Sequence, residues 1–388
     1  MKPLIIIGAG MAAYTVAREF RKLDKTAPLL IISRDEAGFY SKPMLSNALA
    51  QNKAAAQLQN QSMEQMAAQL QATILPRTEV LEIDSANRTL RTSSQTHEYA
   101  QLVLALGAQP IRLSFAGDAA DQVVSVNHIS DYAAFRQRIE QTPAKARVTV
   151  IGAGLIGCEF ADDLSGAGYT VSVIDPNPLP LALLLPAELG RGLQTALEGR
   201  GVYMLLGTTA TQIDHDGAAL KLTLANGDTL AADVVLSAVG LRADTRLAQA
   251  AGLRCERGIV VDAYGQTSAP DIYALGDCAQ YTTHDGSSRT MPYIAPIMAA
   301  GRALAQTLTG KPTAIDLKPV PVIVKTPSLP IALVAPTPQQ MAGGEWRHEM
   351  QGERHVCRFF DAQQRMVGFA LGPQEATLRQ SLMAQLNS

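Results

Sequence analysis

The sequence predicts an α/β chain of two doubly wound parallel sheets followed by a smaller α+β domain. Three observations predict it. A β-branched strand running into Gly-Ala-Gly and then a helical stretch occurs twice, at residues 4–13 and 148–157. Each copy is followed by a second apolar strand, at residues 28–33 and 169–175. The chain's 388 residues, 47% hydrophobic and 18% charged, suffice for two or three domains with their own cores.

In chain order, residues 4–7 form the first strand, and Gly8, Gly10 and Ala13 occupy the glycine-turn positions of Met11–Leu23, the first helix. The second copy has Gly152, Gly154 and Gly157, with Leu155–Gly166 as its helix. In each, the first glycine permits a tight turn and the second lets a pyrophosphate approach the backbone. The third position must be small for helix and strand to pack closely. One such motif is weak evidence, but two in the required strand–turn–helix context imply two Rossmann-like sites and two dinucleotides, each held at a helix N-terminus.

Asp175 closes the strand after the second turn, where a carboxylate can accept both hydroxyls of an adenosine ribose. An acid there disfavours a 2′-phosphate, so NADH is preferred over NADPH; the alternative is a turn former before Pro176. The first copy departs from this pattern, offering Ser33, Arg34 and Asp35 as unranked adenosine contacts. Residues 291–308 read as a core helix. Pro312, Pro319 and Pro321 mark the start of the last domain, with a small antiparallel sheet and a covering helix at 375–386.

Other classes recede. Lys+Arg 33 against Asp+Glu 35 gives a net charge of −2 with no basic run, which argues against a nucleic-acid partner. Cys158, Cys255, Cys278 and Cys357 form no CxxC pair, so neither a disulfide framework, a zinc ribbon nor a redox dithiol is expected. The histidines at 97, 128, 215, 284, 348 and 355 show no ligand spacing, and no metal is expected. The apolar stretch at 4–17 is broken by Gly8, Gly10 and Tyr14 and has no clear cleavage site. No other stretch is long enough to insert in a membrane, so a cytoplasmic location is expected.

On these motifs, the chain resembles the FAD-dependent pyridine nucleotide-disulfide oxidoreductase superfamily, with its glutathione-reductase-like, three-layer domains. Residues 267–277, reading TSAPDIYALGD, are similar to the superfamily's second flavin motif, whose aspartate, here Asp277, bonds the ribityl chain. Residues 102–108 and 234–240 resemble its two connector strands. The resemblance implies an FAD domain at 1–112 and 241–318, an NADH domain at 113–240 and a C-terminal domain at 319–388.

Members that reduce disulfides carry a cysteine beside the flavin, whereas the corresponding loop at residues 39–46 reads FYSKPMLS. Without a thiol relay, electrons must leave the flavin directly. The loop, with residues 152–165, 273–278, 302–308 and 321–327, is most similar to the rubredoxin reductase branch. That branch oxidises NADH at the flavin and passes single electrons to rubredoxin for a membrane alkane hydroxylase. Its acceptors are acidic, so a small, transient interface with Lys or Arg near the flavin edge is expected.

By the same resemblance, Gly8, Ala9, Gly10, Met11, Ala12, Ser33, Arg34, Asp35, Val80, Asp277 and Ile294 would hold FAD. Gly152, Gly154, Leu155, Ile156, Gly157, Asp175 and Gly240 would hold the nicotinamide nucleotide. Lys42 and Glu159 would meet near flavin N5, and Lys325 would approach the ring from the C-terminal domain; the alternatives are a surface Lys42, a helix-capping Glu159 and a solvent-facing Lys325. Other readings are a ferredoxin reductase serving an oxygenase, an NADH oxidase, and a redox-sensing flavoprotein.

Overall fold

The computed structural model describes every residue except Pro143, His284, Asp285, Asn387 and Ser388, so one histidine of the metal reading, His284, lies outside the described residues. The chain forms two compact units. One comprises residues 1–42, 56–109 and 241–318; the other comprises residues 43–55, 110–240 and 319–388.

In the first unit, Leu4–Ile7 lies at the middle of a five-stranded parallel sheet. Across the sheet the strands run Ile272–Ala274, Gln101–Leu104, Leu4–Ile7, Leu29–Ile32 and Thr73–Leu75. All four residues of Leu4–Ile7 and of Leu29–Ile32 are buried, as expected of parallel strands covered on both faces. A three-stranded antiparallel meander, Val80–Asp84, Thr89–Thr92 and Thr96–Glu98, completes this part. Met11–Leu23 ends at Asp24, whose Oδ1 accepts the N–H groups of Thr26 and Ala27.

Helix Ile294–Leu308 packs on Met11–Leu23, with Gly301 facing Thr15 in the contact. A Cβ there would lie 2.6 Å from Thr15 Cγ2. Gly301→Leu should therefore overpack the crossing and cost about 3 kcal/mol, observable as a lowered thermal midpoint.

The second unit repeats the plan. Tyr203–Leu206, Thr170–Asp175, Arg147–Ile151 and Val234–Ser237 form a parallel sheet, and Ala210–Asp216, Ala219–Leu224 and Thr229–Ala232 a meander. Meander residues Ile213, Leu220 and Leu222 share a core with Ile151, Ile174 and Val235 of the parallel sheet. Helix Leu155–Gly166 packs on Arg147–Ile151 and Thr170–Asp175, giving helix, sheet and meander layers. The copies agree in register: Ile7 pairs with Ile32, and Ile151 with Ile174. The N–H groups of Gly8 and Gly152 donate to the carbonyls of Ile32 and Ile174, both at 2.8 Å.

The C-terminal part of this unit is a five-stranded antiparallel sheet. Its spatial order is Val322–Val324, Ile331–Val334, Met366–Gly372, Arg354–Phe360 and Glu345–Gln351. Helix Ala376–Leu386 lays Leu378, Leu382 and Met383 on Val334, Val356, Phe369 and Leu371. Helix Ala187–Glu198 packs against two of these strands, with Leu189 Cδ1 2.8 Å from where a Gly372 Cβ would stand. Pro319, Pro321 and Pro327 flank one edge strand, and the other, Glu345–Gln351, carries Glu345, Arg347, His348 and Glu349. Among the described residues, no helix is long and apolar enough to cross a membrane.

Candidate functional site

Each glycine turn is shaped by contacts that exclude side chains. Gly8 has φ +113° and Gly152 φ +107°, conformations that L side chains rarely adopt. A Cβ on Gly8 would overlap the Ala105 carbonyl oxygen; one on Gly152 would lie 2.7 Å from the Ala238 carbonyl oxygen. Gly157 abuts the Gly152 carbonyl so closely that no Cβ fits between helix and turn. The middle glycines differ. Gly10 and Gly154 are the N-caps of their helices, without a side-chain cap, and no neighbouring atom stands within 4 Å of a Cβ on either. Neither helix has an acid in its first turn.

Each helix therefore presents uncompensated N–H groups and a positive dipole end to open space, a fit for a pyrophosphate. Ala9 is buried, Met11 and Ala12 half-buried, Leu155 half-buried and Ile156 exposed around these turns.

Ser33 and Asp175 occupy equivalent places after Ile32 and Ile174. Asp175 is buried. Its Oδ2 accepts the Ala153 N–H at 2.7 Å, and its Oδ1 accepts the Asn177 N–H at 2.8 Å. The carboxylate thus ties the glycine turn to the strand end. In the first copy that link is replaced: Ser33 Oγ donates to Asp35 Oδ1 at 2.7 Å, which also accepts the Ala37 N–H. Arg34 extends toward Asp244, 3.6 Å away, a buried acid also held by Arg246 and Gln109. Burial alone would raise the Asp244 carboxyl, but the Arg246 hydrogen bond and charge, with Gln109 and Arg34, hold it below its usual range.

Asp277 sits in the one-turn 3₁₀ segment Gly276–Cys278 at the carboxyl end of strand Ile272–Ala274. A Cβ on Gly276 would come within 2.7 Å of Ala12 Cβ, so this turn lies against the first glycine helix. Burial pushes the Asp277 carboxyl up, and the Lys42 charge partly counters it. The first unit therefore brings together Gly8–Ala12 of the turn, Asp277 and Lys42. Val80 opens the meander as a buried residue, and Ile294 begins its helix half-exposed. Gly240, φ +105°, follows strand Val234–Ser237 in the second unit.

Glu159 lies in the second unit, buried on the inner face of Leu155–Gly166. Its Oε2 accepts from Ser46 Oγ at 2.5 Å and from Lys325 Nζ at 2.6 Å, and its Oε1 accepts from the Lys325 N–H at 3.0 Å. Lys325 Nζ also donates to the Pro43 carbonyl at 2.7 Å. Lys325, on which sequence reasoning left two readings open, thus turns inward to an acid. Lys42 and Glu159 belong to different units.

Two further acids of this helix escaped sequence reasoning. Asp163 accepts the N–H groups of Leu49 and Ala50 at 2.8 and 3.0 Å; burial pushes its carboxyl up despite these bonds. Asp162 accepts from the N–H and Oγ of Ser328. A run of acids at 159, 162 and 163 was the available signal, but that spacing also describes an ordinary solvated helix face.

Two glycine turns with open helix N-termini, on two sheets of one plan, define a protein of the double dinucleotide-fold class. Residues 2–303 match the family model described as pyridine nucleotide-disulphide oxidoreductase, and residues 314–386 match one described as a rubredoxin binding C-terminal domain. A rubredoxin-NAD(+) reductase of Acinetobacter baylyi is 42% identical over 389 residues, covering 97% of each chain. One from Alcanivorax borkumensis is 40% identical over 372 residues, covering 96% of this chain and 95% of its own. The reductase in the covalent putidaredoxin reductase–putidaredoxin complex shares the fold, with a TM-score of 0.88 at 23% identity over 100% of this chain and 93% of that one. The chain belongs to the pyridine nucleotide-disulphide oxidoreductase family, whose members use FAD and a nicotinamide dinucleotide.

Proposed function

We propose that this chain is an NADH-dependent FAD flavoprotein that reduces rubredoxin. The observation that carries the acceptor is that the segment matching the rubredoxin-binding model also supplies Lys325, which is locked onto the nucleotide-fold helix by Glu159. Bound FAD supplies the conversion of one two-electron donor into two one-electron deliveries.

The residues position and tune. The turn at Gly8, Ala9, Gly10, Met11 and Ala12 would hold the flavin pyrophosphate, with Ser33, Arg34, Asp35 and Val80 toward its adenosine. Asp277 and Ile294 would hold its ribityl chain and ring. Gly152, Gly154, Leu155, Ile156, Gly157, Asp175 and Gly240 would hold NADH. In this reading Lys42 and Lys325 set positive charge beside the ring, and Glu159 fixes Lys325 while partly offsetting it. The four cysteines are free thiols, which supports a reducing, cytoplasmic setting, and the downstream consumer of rubredoxin electrons would be an alkane-hydroxylating oxygenase.

The test is rapid mixing of the NADH-reduced protein, without oxygen, with oxidised rubredoxin or with a [2Fe–2S] ferredoxin. Fast, salt-sensitive reoxidation by rubredoxin is expected. Preference for ferredoxin would replace the acceptor, and failure of both would remove the reductase reading in favour of a redox sensor.

Asp277 gives a pH prediction. A carboxyl raised by burial keeps its proton in the folded chain above its ordinary range, so its contribution to stability is present at low pH and lost as pH rises through the raised value. Ribityl hydroxyls donate to the ionised form, so FAD binding expels that proton. The affinity of FAD-free protein for FAD should therefore climb as pH rises above the ordinary aspartate range. The climb should flatten in Asp277→Asn, as read by flavin fluorescence quenching.

A further inference from the structure

Two carboxylates of helix Leu155–Gly166 grip one short segment of the C-terminal domain at matching intervals. Glu159 and Asp162 are three residues apart and share a helix face. Lys325 and Ser328 are also three apart: Lys325 precedes, and Ser328 is the third residue of, a turn in which the Leu329 N–H donates to the Thr326 carbonyl at 3.1 Å and Thr326 Oγ1 donates to the Leu329 carbonyl at 2.6 Å. Pro327 stands at the second position of that turn, where its fixed φ is favoured.

From this segment, each carboxylate accepts one backbone N–H and one side-chain donor. Glu159 takes both from Lys325; Asp162 Oδ2 takes the Ser328 N–H at 2.8 Å and the Ser328 hydroxyl at 2.7 Å. Asp162 is wholly buried, and its Oδ1 has Arg200 Nη1 at 3.3 Å in an ion pair without hydrogen-bond geometry. A wholly buried carboxylate is costly unless its lone pairs are used. Here they are used mainly on the turn that follows Lys325.

We propose that Asp162 and Ser328 are positioning residues that hold Lys325 in place for its action on the flavin. The proposal rests on the reading that Lys325 lies beside that ring. Glu159 and the Pro43 carbonyl fix the lysine's charge, but without Asp162 the backbone leaving Lys325 would be free to swing at Ser328. The second rung removes that freedom, so the ammonium returns to one place in every turnover. Loss of the rung should spread the lysine over several positions, weaken its stabilisation of electron-rich flavin and lower turnover by roughly one order of magnitude.

The experiment measures the flavin midpoint potential of the FAD-loaded protein by dye-coupled spectroscopic titration, with no iron protein present, together with KM and kcat for NADH. The variants are Lys325→Met, Asp162→Ala, Asp162→Asn and Ser328→Ala. Lys325→Met should move the potential to more negative values. Asp162→Ala and Ser328→Ala should move it the same way by a smaller amount, lowering kcat with KM little changed. Asp162→Asn, whose side-chain oxygen can still accept from Ser328, should restore the potential.

Simple removal of a negative charge would move the potential the other way in both Asp162 variants, and that result overturns the proposal. So does an unchanged potential in Ser328→Ala, which decides the matter even if Asp162→Ala fails to fold. An unchanged potential in Lys325→Met instead sinks the reading that this lysine lies beside the flavin. The rubredoxin reading falls only in the separate acceptor experiment.

Discussion

Glu159→Ala is expected to lower the stability of the second unit by about 3 kcal/mol, the lower end of the usual loss when one partner of a buried pair is removed. The carboxylate accepts from Ser46 Oγ, Lys325 N–H and Lys325 Nζ, and alanine leaves all three donors without it. The ammonium keeps the Pro43 carbonyl and, with a side chain 30% exposed, some access to water, which is why the lower end applies. The truncated side chain also leaves a space on a buried helix face. Denaturant unfolding followed by circular dichroism reads the loss.

The companion variant Glu159→Leu with Lys325→Met separates the causes. Replacing both charges by apolar groups of similar size removes the uncompensated ammonium, and most of the stability should return. A double variant as weak as Glu159→Ala would mean that packing rather than charge sets the loss.

Gly157→Ala is expected to weaken NADH binding severely while FAD binding survives. The added methyl has nowhere to go between helix Leu155–Gly166 and the carbonyl of Gly152, so the helix must back away from its strand. That displacement moves the N–H groups at the helix start, and NADH affinity should fall by about 100-fold or more, a loss of about 2.7 kcal/mol. Gly154→Ala is the informative contrast. Its methyl enters open space, so the thermal midpoint should hold, but it fills the place a phosphate would take. NADH titration beside a melting curve therefore yields two patterns: binding and stability lost together at 157, binding alone at 154. Equal melting points for both variants would show that the Gly157 contact relaxes without cost.

The glycine turns were legible because backbone geometry leaves few residues able to occupy them. Strand, turn and helix around Gly8 and Gly152 can be read directly, and the helices Met11–Leu23 and Leu155–Gly166 have the bounds that the pattern implied. The wider duplication was not legible. The meanders at 80–98 and 210–232 have the same topology, yet their apolar alternation is ordinary for any antiparallel pair.

Two acids of Leu155–Gly166, Asp162 and Asp163, escaped notice for a different reason. Helix reading assumes that charge points outward, whereas here Glu159, Asp162 and Asp163 are buried and Ile156 is exposed. Their main partners, the loop at 46–50 and the segment at 325–328, explain the inversion, and those lie over a hundred residues away in sequence. Ser46 and Ser328 carry no signal of their own, because a serine before or after a turn is commonplace.

Both margins of the C-terminal sheet discourage extension. One, Val322–Val324, is three residues long and hemmed by Pro319, Pro321 and Pro327; the other, Glu345–Gln351, is lined with Glu345, Arg347, His348 and Glu349. A visiting protein therefore cannot be stitched on by a ladder of main-chain bonds, the adhesive mode of strand addition. It must rest on side chains alone, and a contact of that kind parts quickly. For a protein that would hand over its charge one visitor at a time, fast parting is worth more than a firm hold.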